Sequence, residues 1–353
     1  MKTAIIMVTY NGWPITENCL ADLAALPQDD FVIAVADNAS TDGTVENIRE
    51  QFPHVKVYPQ TENLGFGRAN NAAVQGLKDD GIKFDAICLL NNDTRLDCDM
   101  LVELRKSLTE AQTRFGDVIV VPTVRNSNGT PQHNYFAKIS PLQFFLNAFR
   151  MESGAARYLE GTPKLCPETT FYETYWASAV CWMMPANLYG MLGGFDENIF
   201  MYYEDWDLAH RAIKIGYRFY IQSKCSIIHR GGGSAKNNLS RALQHDRSQE
   251  YVFGKHMGPK GVKLSRAFRV CRSFARFLPT SIFALFNRKF AEYAKNHLTL
   301  LKEALCANFY ADTAWHALLP YFFRSRSRRT QPHSRDLPTR PPSRSQTPHA
   351  KPS

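Results

Sequence analysis

The run LLNNDTRL, Leu89 to Leu96, closes an apolar stretch with three oxygen-bearing side chains, Asn91, Asn92 and Asp93. A hard divalent cation takes oxygen ligands and keeps phosphate oxygens and water in its shell, so a carboxylate beside an amide oxygen suits it. Asn-Asn-Asp is equally at home in a plain β-turn. His229 ends a second apolar run, SIIH, just before three glycines. A neutral imidazole there could add a metal ligand, although a lone histidine is more often a packing residue. Asp37 ends VADNAS, where a carboxylate can accept the N3–H of a pyrimidine ring or cap a turn. The densest acidic patch is MYYEDWDLAHR, in which Glu204, Asp205 and Asp207 crowd a helix start among Tyr202, Tyr203 and Trp206. Acidic groups suit a helix N-terminus electrostatically. Adjacent carboxylates in a semi-apolar cleft also provide a base able to take a hydroxyl proton. Asp207 and Arg211 are four apart and can pair along the helix.

These groups are far apart in sequence, so the fold must gather them. Over the first 125 residues strand and helix patterns alternate. AIIMV, FVIAVAD, VKVYP, FDAICLLNND and GDVIVVP read as strands. Between them lie helical stretches opened by Pro14, by Asp42 as a cap, by GFGRAN and by CDMLVELRKSLTEA. Such alternation implies an α/β layer structure with a mostly parallel sheet flanked by helices. Ligands of such sheets bind beyond the carboxyl ends of the strands. Thr9, Tyr10, Asn11, Asp37, Asn38, Asn91, Asn92 and Asp93 all fall at strand ends and are expected on one edge. Residues 126–172 read as loops with a short helix over that edge. EDWDLAHRAIKIG reads as a helix ending at Gly216, followed by a strand CSIIHRGGGS.

The composition excludes several classes. The hydrophobic fraction of 44% supports a sizeable core. Eight single cysteines with no CxxC pair suggest reduced thiols and no zinc site. The five-residue apolar run after Lys2 is too short for a signal sequence, and no run reaches membrane-spanning length. GFGRAN lacks the third glycine of a dinucleotide fingerprint and follows the third strand, and no phosphate-binding GxxxxGK loop occurs.

The blocks VTYNG, ADNASTDGT, NLGFGRANN, LLNNDT, GGFDENIFMYYEDWDL and IIHRGGGS stand in the order found in family 2 glycosyltransferases. The resemblance is strongest to the rhamnosyltransferase-like branch and spans about residues 3–235. It implies a GT-A nucleotide-diphospho-sugar transferase fold with a C-terminal helical extension. It also implies Mg²⁺ or Mn²⁺ as cofactor and inversion at the sugar carbon. The expected donor is a dTDP- or UDP-linked sugar, with rhamnose or another hexose transferred. The acceptor is a glycan or a polyprenyl-diphosphate-linked sugar in cell-surface polysaccharide synthesis. By position, Thr9, Tyr10 and Asn11 line the nucleotide pocket with Asn38 and Asn92 beside them, and Asp37 meets the base. Asn63 and Asn70 lie near the donor, and Arg68 is a phosphate contact. Asn91 and Asp93 occupy the outer positions of the family's DXD motif, the first Asp being Asn here. Asp205 matches the general base with Glu204 beside it, and His229 matches a metal-binding histidine. The alternatives are a UDP-hexose donor on the same fold, and a non-catalytic GT-A scaffold or glycan-binding subunit.

The resemblance divides the chain into a catalytic region, 1–235, a basic amphipathic helical region, 236–322, and an Arg/Pro/Ser-rich tail, 323–353, expected to be disordered. The formal charge of +9 is concentrated in the last third. RAFRVCRSFARFLPTSIFALFNRKF mixes arginines with large apolar residues. Such a helix can lie on an anionic membrane surface or simply pack on the catalytic region. The first option makes the protein cytoplasmic and peripheral on the inner face of the cell membrane. Nucleic acid is not an expected partner.

Overall fold

A computed structural model describes residues 1–138, 163–231, 238–285 and 288–306. Part of the expected loop over the strand edge and the Arg-rich tail lie outside the described residues. The five strands expected in the first 125 residues are present as β1 (Thr3–Thr9), β2 (Phe31–Asp37), β3 (Lys56–Pro59), β4 (Ala86–Leu90) and, after the short β5 (Thr94–Arg95), β6 (Val118–Arg125). They alternate with α1 (Trp13–Leu23), α2 (Thr44–Gln51), α3 (Phe66–Asp79) and α4 (Cys98–Phe115). β3, β2, β1 and β4 run parallel, so their carboxyl ends share an edge.

The sheet then departs from simple alternation. After β7 (Tyr135–Phe136), β8 (Lys164–Leu165), β9 (Phe171–Thr174) and β10 (Trp176–Ala177), strand β11 (Cys181–Pro185) inserts antiparallel between β4 and β6. α5 (Ala186–Met191) and α6 (Glu204–Lys214) follow. β12 (Arg218–His229) runs parallel to β6 and starts seven residues earlier than the CSIIH run suggests. Its register slips between Gln222 and Ser226. That bulge exposes Ser223 and Lys224 and interrupts the apolar pattern by which a strand is read.

Period-two alternation sorts the core. Ile5 and Met7 of β1 face Leu20 and Leu23 of α1 and Leu101, Leu104 and Leu108 of α4. Ala4 and Ile6 face Ala69, Ala73 and Leu77 of α3, together with Leu208 and Ala212 of α6. Both faces of the central strands are covered, which is why they read as continuous apolar runs.

Beyond the sheet, α7 (Asn238–Ala284) reverses at Gly258, whose φ of 64° precedes Pro259. The helix before the reversal and the helix after it lie antiparallel. Asp246 meets Arg272, Glu250 meets Arg266 and Arg269, and Ser265 Oγ donates to Gln249 Oε1. α8 (Arg288–Cys306) packs along α7. Arg269 is fully buried, so this part of the basic run faces acidic partners within the protein.

Candidate active site

Backbone pairing brings the first two groups together. β5 lies antiparallel to the last residues of β12, with Thr94 opposite His229. Asp93 immediately precedes that pairing, and its carbonyl accepts the Arg230 N–H. Asp93 Oδ1 consequently stands 3.2 Å from His229 Nε2. The other ring nitrogen, Nδ1, is 2.8 Å from Gln132 Oε1. An amide oxygen there calls for a proton on Nδ1, which leaves the Nε2 lone pair of a neutral imidazole facing a carboxylate. Two such lone pairs need a cation, either a proton or a metal ion. Their spacing matches two adjacent ligands of an octahedral ion, about 3 Å for bonds near 2.1 Å. Asn91 adds an oxygen nearby in sequence: its Oδ1 is buried without a hydrogen-bond partner, and its N–H donates to Val180 O. The donor set suits a hard divalent ion, although among the described residues no three His, Cys, Asp or Glu side chains cluster as a metal site.

On β2, Asp37 is 1% exposed and serves both readings of its position. Oδ1 accepts the Ser40 N–H at 2.8 Å, as in a turn, while Oδ2 is buried with no partner. Burial pushes its pKa up, and the hydrogen bonds from Ser40 oppose the shift. Thr9, Thr16 and Asn92 form a polar triangle below the same edge: Asn92 Nδ2 donates to Thr16 Oγ1 at 2.9 Å, and the two threonine hydroxyls are 2.8 Å apart. Tyr10 is half-buried beside them. Asn11, with φ of 47°, spends its Oδ1 on the Thr41 N–H. It ties the β1 loop to the β2 loop.

The acidic pair arrives from the other side of the sheet. Asp205 opens α6, and its Oδ2 accepts the Ala179 N–H at 3.3 Å. Ala179 adjoins Val180, which accepts the Asn91 N–H. One turn, residues 178–180, therefore touches both the end of β4 and the start of α6. Asp205 is partly exposed at the foot of this edge, and burial raises its pKa. Glu204 is more enclosed, with Oε2 lacking a partner; burial and the Asp205 charge raise its pKa further.

Residues 4–175 match the family described as Glycosyl transferase family 2. Proteins from two strains of Mycobacterium tuberculosis, each named N-acetylglucosaminyl-diphospho-decaprenol L-rhamnosyltransferase, are 27% identical over 274 residues, covering 72% of this chain and 85% of theirs. The chain carries a family 2 glycosyltransferase domain over residues 4–175. Among solved structures, GalNAc-T7 with UDP, GalNAc and Mn²⁺ superimposes with a TM-score of 0.50 at 13% identity, over 92% of this chain and 58% of that one. The mannosyltransferase PcManGT from Pyrobaculum calidifontis, with GDP-Man and Mn²⁺, gives 0.48 at 17% identity over 88% of each chain. The fold is GT-A, rhamnosyltransferase-like by sequence.

In this glycosyltransferase the remaining predicted donor residues shape backbone. Asn38 binds Leu64 N–H and Gly65 carbonyl with its two amide atoms. Asn63 Oδ1 accepts the Gly65 N–H, and Asn70 Nδ2 donates to Phe66 O. Gly65 has φ of 81°, and a Cβ on it would lie 2.0 Å from Phe200 O, so the loop seats directly against the segment leading to α6. Arg68 lines an open cleft of about 470 Å³ on the outer side of α3 with Asn71, Lys78 and Glu197.

The sequence reading misses the residues that hold the acidic pair. Tyr202 and Tyr203 both adopt left-handed backbone, φ 68° and 66°, a strained entry to α6. Ser248 Oγ donates to Met201 O, and Gln249 Nε2 donates to Tyr203 Oη at 2.6 Å. The expected Asp207–Arg211 pair forms at 2.8 Å, and Lys255 and His256 of α7 each reach the other Asp207 oxygen at 2.7 Å. Burial pushes the Asp207 pKa up, but the His256 hydrogen bond, the Arg211 charge and Lys255 outweigh it and hold it at about 2. Only the acidity of Asp207 itself was a signal: a buried carboxylate needs more cations than Arg211 supplies.

Proposed function

We propose that this family 2 enzyme is an inverting rhamnosyltransferase acting on a polyprenyl-diphosphate-linked sugar at the cytoplasmic face of a membrane. The observation that carries the reading is the 178–180 turn, whose Ala179 N–H meets Asp205 while Val180 O meets Asn91. Donor and acceptor groups thus share one edge. Asp37 offers its unspent oxygen to the N3–H of a uracil or thymine, which favours a UDP- or dTDP-linked donor. Asn38, Asn63 and Asn70 fix the backbone that borders the donor. Asp93 and His229, with Asn91 as an amide ligand, would hold Mg²⁺ or Mn²⁺, and the ion when bound would supply neutralisation of the diphosphate leaving group.

Asp205 takes the proton from the acceptor hydroxyl as that oxygen attacks the sugar carbon opposite the diphosphate. A single displacement inverts the centre, and the protein supplies no nucleophile. Glu204, kept protonated by its surroundings, lets Asp205 carry the charge of the pair. The relatives' names, rhamnosyltransferases on a diphospho-decaprenol-linked N-acetylglucosamine, support a sugar of that class as acceptor.

The test is a donor screen on N-acetylglucosaminyl-diphospho-polyprenol with dTDP-rhamnose, UDP-glucose, UDP-galactose and GDP-mannose, with and without Mn²⁺. Metal-dependent transfer from dTDP-rhamnose is expected. Transfer from GDP-mannose alone, or equal transfer in chelator, contradicts the proposal.

A further inference from the structure

The helical region carries a surface that catalysis does not use. Phe274, Leu278, Ile282 and Leu285 are 54–81% exposed and recur at helical spacing, so they form one stripe along the last turns of α7 and the residue that follows it. Phe283 stands beside them with its ring 5.4 Å from Phe290, and Phe290 in turn neighbours the exposed Tyr293. Seven of the 13 exposed large apolar side chains of the described residues fall between 274 and 305, so this is a patch rather than scatter.

Its location follows from the register of α7. Asp246 faces Arg272 and Glu250 faces Arg266, so each step forward on one helix is a step back on the other. Continuing that register sets Phe274 and Leu278 opposite the first turns of α7. The same early part of α7 contacts the catalytic segment, through Gln244 and Ser248 on Met201 and His245 against Tyr202 and Tyr203. The apolar stripe therefore begins beside the part of α7 that touches Met201 and Tyr203, just ahead of Asp205.

Charge selects the occupant. Residues 260–306 hold ten lysines and arginines against two glutamates. Arg266, Arg269 and Arg272 answer Asp246 and Glu250, and the rest still outnumber the glutamates. A second copy would present the same basic face. The chain's own residues 307–353 carry eight lysines and arginines against two aspartates. An anionic lipid surface matches both the apolar stripe and the positive field, and no helix among the described residues is long and apolar enough to cross a membrane.

We propose that Phe274, Leu278, Ile282 and Leu285 insert into the interface of an anionic bilayer, docking the catalytic edge at the surface from which a lipid-linked acceptor is taken. The proposal rests on the acceptor class given above, and its test separates the two. The full chain is mixed with phosphatidylglycerol vesicles, with phosphatidylcholine vesicles, and with neither. A variant carrying Leu278→Ser, Ile282→Ser and Leu285→Ser is compared with wild type after a thermal melt shows an unchanged midpoint. Should that variant melt early, Leu285→Ser alone, the most exposed position, replaces it. Wild type is expected to sediment with the anionic vesicles, and the triple variant to bind at least tenfold more weakly. Transfer to a short-chain, water-soluble acceptor should be unchanged. Equal vesicle binding by variant and wild type overturns the docking. So does a wild type that ignores vesicles and self-associates through these residues, or one that binds only after removal of residues 307–353. A protein that binds vesicles but transfers no sugar contradicts the proposed function and leaves the docking intact.

Discussion

The proposed active site has two halves, a donor half and an acceptor half, and they are supported in different ways. The donor half stands on strand ends: Thr9, Asp37, Asn91, Asp93 and His229 are fixed by β1, β2, β4, β5 and β12 through backbone register. The acceptor half has no strand beneath it. Tyr202 to Asp207 are held in a strained turn by side chains of α7, with Ser248, Gln249, Lys255 and His256 each making a specific contact. Backbone pairing resists single substitutions, whereas a side-chain clamp can be removed one contact at a time. The donor half should therefore survive changes that disable the acceptor half.

The largest expected effect falls on the acceptor half. Asp205→Asn keeps shape and removes the base, so turnover should drop by about 10²–10⁴ while calorimetry shows donor binding unchanged. Turnover near wild type would break the comparison at its centre. Next comes Asp207→Ala, which leaves Arg211, Lys255 and His256 around an empty position and should cost about 3–5 kcal/mol. Hydrogen exchange should rise in 200–207 and the start of α7 but not in β1 and β2; uniform loss of protection would show that the halves are not separately supported. Acid should act in the same place. A carboxylate held at about 2 stabilises the fold above its ordinary value of 3.8, and that stability is lost as pH falls through the folded value. The α6–α7 contact should open first between those limits, as read by tyrosine and tryptophan fluorescence. Gln249→Ala removes the hydrogen bonds to Tyr203 and from Ser265 and should cost about 2 kcal/mol, lowering kcat with little change in donor KM. Smallest of all is Glu204→Gln. Glutamine imitates the protonated acid, so turnover should stay within a few-fold of wild type. The acidic limb of kcat should lie above the ordinary carboxylate range, because burial raises the Asp205 pKa and protonation there removes the base.

The same division decides what the sequence discloses. The strand-end half is legible because parallel strands buried on both faces leave continuous apolar runs, and the polar residue after each run marks the carboxyl edge of the sheet. That rule alone puts Asp37, Asn91 and Asp93 at strand ends. β11 was not legible, since CWMMP is a five-residue buried run without alternation. The first part of β12 was lost to the bulge at Gln222–Ser226. The clamp was least legible, because its residues are ordinary on a helix surface and acquire meaning only through the reversal at Gly258–Pro259. That dipeptide is a turn signal. Reading it as one pairs Arg266, Arg269 and Arg272 with Asp246 and Glu250 instead of with lipid, and moves the proposed membrane-docking surface to the apolar stripe beyond them.

The most direct measurement sets the two halves against each other in one titration. Mn²⁺ and dTDP-rhamnose binding would be followed by calorimetry, and transfer by product assay, in wild type, Asp93→Ala and Asp205→Asn. The account predicts that Asp93→Ala loses metal-dependent donor binding together with transfer, while Asp205→Asn binds metal and donor as wild type does and transfers at least about 10²-fold more slowly. Metal-stimulated binding that persists in Asp93→Ala, or transfer near the wild-type rate in Asp205→Asn, would contradict it.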